Sequence, residues 1–179
     1  IAVINDNHNE EKNIFENYIS ENNYYKLFNL IINDADSFNP RNKVLTLQIL
    51  REICKIQKNK NFNIKLNINI FQRLSIFILN ADIDVWQQIA ALQIMFYANE
   101  SDFYKFVLKR ISAPQKYDYE IFFRRNIILL LYNSSNIEQT DKIIKHFLEA
   151  DKSEYVRLEL IKFLIQTPQY YELIKSKLT

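Results

Sequence analysis

Glycine is absent from all 179 residues, where ordinary usage of about 7% would place roughly a dozen. Phosphate-cradling loops, dinucleotide-binding fingerprints and nucleophile elbows all need glycine for a tight turn or a close backbone approach, so each is excluded. A single cysteine, Cys54, excludes a disulfide framework and a cysteine zinc site. The two histidines, His8 and His146, stand too far apart in sequence for a histidine metal cage. The longest uncharged helical stretch, Trp86–Asn99, carries three Gln and falls short of the ~20 apolar residues a membrane span needs. No secretory signal or transit peptide is visible. The chain opens on Ile1 rather than Met, and we read it as one region of a longer protein, with an upstream membrane anchor left open. No catalytic constellation survives. The expectation is therefore a non-enzymatic, cytoplasmic, all-helical interaction module with no cofactor, no metal and no small-molecule substrate.

Hydrophobic residues make up 48% of the chain and aromatics 14%, enough for a sizeable core. Cys54 lies among Ile53 and Ile56 and reads as a packed small hydrophobe. Asn39-Pro40 and Thr167-Pro168 read as an N-cap followed by proline at the first helical position. Asn99–Asp102, Asn136–Gln139 and Asp151–Glu154 resemble capping boxes. These signals predict about ten helices, near 9–20, 22–34, 40–57, 64–80, 83–98, 101–112, 116–133, 137–149, 152–166 and 168–177. Residues Ile64–Ile70 alternate like a strand. No second strand exists to pair with them, so helix is expected there too. Over 152–166, Val156, Leu160, Phe163 and Leu164 form one apolar stripe, and Tyr155, Leu158, Ile161 and Ile165 a second. A helix apolar on most sides is expected to be contacted on several.

The first helices of successive pairs align. Leu45–Ile53 is followed by Trp86–Ile94, Phe123–Leu131 and Val156–Leu164, at steps of 41, 37 and 33 residues. Each block is apolar at its first and ninth positions, apolar or small at its fifth and sixth, and precedes another helix. Asp151–Leu164 is the best copy, with an aspartate, then Val156-Arg157, then paired apolar positions. Asp82, Asp84 and Asp118 echo that aspartate, and Arg124 and Arg157 the arginine, whereas Gln87 and Thr46 depart from it. The period and pattern resemble HEAT repeats. The likeness covers residues 40–178, three and a half to four repeats near 39–80, 81–113, 114–150 and 151–179, with 1–38 as an irregular helical cap or half-repeat. It implies an α-solenoid of stacked antiparallel helical hairpins whose second helices line a concave face. It further implies that Leu45, Trp86, Phe123, Arg124, Val156 and Arg157 are structural repeat positions, with Trp86 packed rather than exposed, and that Arg124 bonds the turn of a neighbouring repeat.

Charge is segregated. Residues 1–38 carry 2 basic and 7 acidic side chains, and residues 39–75 carry 8 basic and 1 acidic. The basic stretch comprises Arg41, Lys43, Arg51, Lys55, Lys58, Lys60, Lys65 and Arg73. It reads either as a site for an acidic partner or polyanion, or as a solvated face balanced by the acidic N-terminal segment; a net charge of +2 favours balance. Lys105 and Lys109 share a helical face, as do Lys142 and Lys145 with Glu138 and Glu149. Both sets fall on second helices, as partner-binding residues or as ordinary exposed faces. The Tyr24-Tyr25 and Tyr170-Tyr171 pairs read equally as end packing or as interface.

The function expected from these features is a scaffold that binds a protein or peptide. The alternative is a nucleic-acid-binding module, similar to the HEAT-like DNA glycosylases. It would use the basic stretch, a stacking Trp86 and a carboxylate such as Asp82.

Overall fold

The structure is a computed structural model and describes residues 40–59, 68–79, 83–111 and 121–170. The chain divides into two compact units, Ile1–Thr46 and Leu47–Thr179. The described residues are helical, with no strand among them. Seven α-helices are described: α1 Pro40–Asn59, α2 Ile68–Leu79, α3 Val85–Ala98, α4 Glu100–Ile111, α5 Ile121–Leu131, α6 Ile137–Ala150 and α7 Glu154–Gln166, followed by a 3₁₀ turn at Pro168–Tyr170. The helices expected at 9–20 and 22–34, most of 168–177, and the alternating residues 64–67 lie outside the described residues.

Local chemistry sets most of the helix ends. Pro40 opens α1, where its missing N–H has no intrahelical partner to lose. The Asp84 side chain accepts the Trp86 N–H at 2.8 Å and starts α3. One residue, Asn99, joins α3 to α4. Its N–H donates to Met95 O at 2.9 Å, closing α3, and its Oδ1 accepts the Asp102 N–H at 3.2 Å, opening α4. Asn136 caps α6 in the same way, accepting the Gln139 N–H at 3.1 Å. The C-caps Asn99, Asp151 and Thr167 have φ of −156°, −80° and −123°. Helix ends commonly use a left-handed residue, usually glycine. These three stay at negative φ, which is how a glycine-free chain turns its corners.

One capping expectation is corrected. Ser153, not Asp151, is the N-cap of α7, and it makes no side-chain cap bond. Asp151 instead accepts the Ser153 N–H at 2.9 Å. Thr167 is the C-cap of α7, its hydroxyl donating back to Phe163 O, and its carbonyl accepts the Tyr170 N–H at 2.9 Å to open the 3₁₀ turn at Pro168–Tyr170.

Within the second unit, helices two apart in the chain lie against one another: α3 on α5, α5 on α7, and α4 on α6. Sequential contacts join α2 to α3, α3 to α4, and α6 to α7. The core between them is aromatic, with Phe96, Phe103, Phe123, Phe147 and Phe163 all buried. Phe96 and Phe103 meet edge-to-face at 5.0 Å, and Phe163 takes Tyr132 at 4.9 Å and Tyr170 at 5.4 Å. α3 is buried on most sides, and its Ala90-Ala91 pair lets neighbours approach closely. Cys54 is buried in α1.

α7 corrects the expectation of two covered stripes. Val156, Leu160, Phe163 and Leu164 are buried, whereas Tyr155, Leu158, Ile161 and Ile165 are each at least half exposed. The burial expected for Trp86 is likewise not met. Phe123 and Val156 are buried, but Leu45 and Trp86 are 51% and 55% exposed. Trp86 lies in the first turn of α3, on the side it shares with half-buried Gln93 and Tyr97, the least covered side of that helix.

Candidate partner-binding groove

Helices α2 and α4 carry the most distinctive surface. Eight of the twelve residues of α2 are apolar, yet of its described side chains only Leu74 and Ile78, one turn apart, are buried apolar residues. Ile76 is 64% exposed, and Leu79 also faces solvent. α4 buries Phe103, Tyr104, Phe106, Val107 and Ile111, exposes Lys105 and Lys109, and leaves Arg110 half-buried. Its acidic residues, Glu100 and Asp102, fall in the first turn and its basic Lys109 and Arg110 in the last, the arrangement the helix dipole favours.

Between α2 and α4 runs a groove of about 610 Å³. Phe71, Ile76, Leu79 and Phe106 give it an apolar lining; Gln72, Ser75, Asp102, Lys105, Lys109 and Arg110 complete it. Lys105 pairs with Asp102 at 3.3 Å across an exposed gap. Lys109 is exposed and takes part in no ion pair among the described residues. Burial lowers the pKa of the Arg110 guanidinium below its ordinary value.

Glu100 anchors the N-terminal end of α4. Its carboxylate accepts from the Ser134 hydroxyl, from the Ser135 N–H at 3.0 Å and from the Asn136 N–H at 3.4 Å. It also takes Lys58 Nζ of α1 at 3.2 Å. Burial alone would raise its pKa, but the Ser134 bond, the Lys58 charge and the Ser135 N–H outweigh it and hold the carboxyl below its ordinary range. Beside it the Tyr104 hydroxyl meets Ser134 and Thr140, and burial raises its pKa despite those bonds. Lys58 also sits 3.8 Å from the Phe96 ring centroid, a cation–π contact.

The sequence-derived candidates disperse. Lys105 and Lys109 meet at the groove. Lys142 and Lys145, on α6, each bond an acid one turn earlier on their own helix, Glu138 and Asp141, both at 2.7 Å. Arg73 is exposed on α2 and is not among the groove-lining residues. Lys65, Lys60 and Asp82 lie outside the described residues, as do the side chains of Arg41 and Lys43. Arg51 pairs with Glu52 at 2.7 Å and Lys58 with Glu100, so these two members of the basic stretch are balanced by acids of α1 and α4.

Arg124 reaches the turn before α7. Its Nε donates to Asp151 Oδ2 at 2.7 Å and its Nη2 to Oδ1 at 3.4 Å, a forked and buried pair. Arg157 is exposed. The Trp86 ring, far from being packed away, lies 5.6 Å from that of half-exposed Phe122.

Several side chains with structural or surface roles carried no motif. Arg51 Nη1 donates to Gln93 Oε1 at 3.3 Å, Gln93 Nε2 to Asn126 Oδ1 at 3.1 Å, and Arg125 Nη2 to Glu159 Oε2 at 2.8 Å. These bonds link α1, α3, α5 and α7 in order. A polar residue near the middle of each apolar first helix was the available signal. The excess of apolar residues on α2 was the signal for the groove.

No described helix is long and apolar enough to cross a membrane. Compared with protein-family models, curated proteins and solved structures, the chain gives no match.

Proposed function

We propose that this chain is a HEAT-like α-solenoid region acting as a non-enzymatic scaffold for a protein or peptide partner. The observation that carries this reading is the solvent-open groove between the second helices α2 and α4, with exposed Ile76 and Leu79 in its lining. Exposed apolar surface of this kind on a soluble fold marks interaction sites. The solenoid reading is supported by the packing of α3 on α5 and α5 on α7. The Arg124–Asp151 strut and the polar chain through Gln93 and Asn126 add to it.

Nucleic-acid binding has one observation on its side, the exposure of Trp86. Against it, the Trp86 ring is paired with Phe122, and Arg51 and Lys58 are already matched by carboxylates. Affinity capture with the full-length protein, with and without nuclease, separates the two readings. A protein partner retained after nuclease treatment is expected. Tight RNA or DNA binding at physiological salt, lost when Lys65 and Arg73 are both reversed to Glu, would replace the scaffold reading with its rival.

A further inference from the structure

We propose that the groove between α2 and α4 takes a two-turn amphipathic α-helix of a partner protein, apolar on the face that enters and bearing two carboxylates one turn apart that meet Lys105 and Lys109. The inference rests on the scaffold reading and deepens it by naming the occupant.

Length comes first. The lining runs from Phe71 to Leu79 on one wall and from Asp102 to Arg110 on the other. Each is eight residue steps, about 12 Å, or two helical turns. The chemistry of the walls then selects the ligand's conformation. Both are α-helices whose backbone groups are bonded internally, and no strand edge exists among the described residues. An extended peptide would leave its own N–H and C=O groups facing apolar side chains, a costly arrangement. A helix satisfies its backbone itself and offers only side chains, the helix-in-groove mode of recognition.

Charge decides the sign. Three cations and one acid line the groove, and the acid, Asp102, is held by Lys105. That pair is exposed, with the Lys105 side chain 73% accessible, so it holds little energy and can be re-partnered. Lys109 has no competing ion pair among the described residues. Lys105 and Lys109 are four residues apart, which places them about 6 Å from each other. Carboxylates at i and i+4 of an incoming helix match that spacing. A basic or neutral helix would bury cationic surface without compensation.

The probe is a display library of 15-residue peptides with Leu fixed at i, i+3 and i+7 and the other positions drawn from Glu, Lys, Gln and Ala. After selection on the protein, Glu is expected to dominate at two positions four apart. The selected peptide should gain helical circular dichroism on binding. Its affinity should fall about tenfold or more with Lys109→Glu or Ile76→Asp, and by less than twofold with Trp86→Ala. A Glu→Lys peptide should recover binding to Lys109→Glu, which guards against a variant that simply misfolds. Selection of Lys-rich or charge-indifferent peptides, the absence of any bound peptide, or binding indifferent to both groove variants would overturn the inference. Peptides lost only on Trp86→Ala would sink the groove and leave the scaffold reading standing. Capture of nucleic acid alone by the full-length protein would sink both.

Discussion

Phe163 shows how much a single position carries. It is wholly buried, and its ring is held by Tyr132 and Tyr170. Replacing it with Ala removes apolar contact and leaves a cavity, so Phe163→Ala is expected to cost ~3–5 kcal/mol in a urea melt. Asp151 carries a different kind of weight. It accepts two bonds from Arg124 and one from the Ser153 N–H while 2% exposed. Removing one partner of a buried pair strands the other, and Asp151→Ala should destabilise by ~3–5 kcal/mol. Asp151→Asn keeps an oxygen for Ser153 and should cost measurably less in the same melt. Equal losses for the two variants would mean that the carboxylate's charge, not its cap bond, accounts for the whole effect.

At the scale of the helix, residues of similar hydrophobicity part company. Leu158 and Ile165 on α7 are as apolar as Leu160 and Leu164 but lie on its exposed side. Leu158→Gln and Ile165→Glu are therefore expected to shift stability by no more than about 0.5 kcal/mol, as denaturant midpoints would show. Glu100 ties α4 to the turn before α6, and its folded pKa lies below its ordinary value of 4.5. A carboxyl of this kind contributes stability fully above its unfolded pKa, and the contribution is lost as pH falls through the folded one. Melts taken downward from pH 5 should show a steeper acid loss for wild type than for Glu100→Gln, and a lower melting temperature for the variant at pH 7.

Helix limits were legible because capping is local: Asp84, Asn99 and Asn136 need only the backbone two or three residues ahead. Which apolar stripe is covered was not legible, because Trp86 and Val156 carry the same sequence signal and differ only in what packs over them. The groove was half legible. Lys105 and Lys109 stood out by their spacing, but Ile76 and Phe106 become its lining only through the distance left between α2 and α4.

Across the second unit, the helices are joined by polar bonds as well as by the aromatic core. The sequence alignment matches Gln93 to Leu130, which is buried. The structure instead bonds Gln93 to Asn126, a step of 33 residues, and Arg125 to Glu159, a step of 34. Leu130 stands four residues from Asn126, about one turn further along the same helix. Polar partners across the helix–helix seam fix the register more sharply than apolar ones, because an amide or guanidinium bonds only where its counterpart stands.

The negative-φ corners reverse the usual meaning of glycine at a helix end. Elsewhere a glycine there relieves a residue forced into left-handed geometry. At Asn99 nothing is forced, because φ is −156° and any L-amino acid can sit there. What the corner demands is one side-chain oxygen, aimed at the Asp102 N–H. Glycine would remove that oxygen and widen the conformational range of the unfolded chain, so Asn99→Gly should lose about 1 kcal/mol. Asn99→Asp keeps the oxygen and should lose little, and chemical denaturation of both variants would measure the difference. The same stereochemical economy suits this chain to mirror-image probing: a D-residue placed at Asn99 would be penalised, although D-residues are tolerated at the ordinary left-handed helix end.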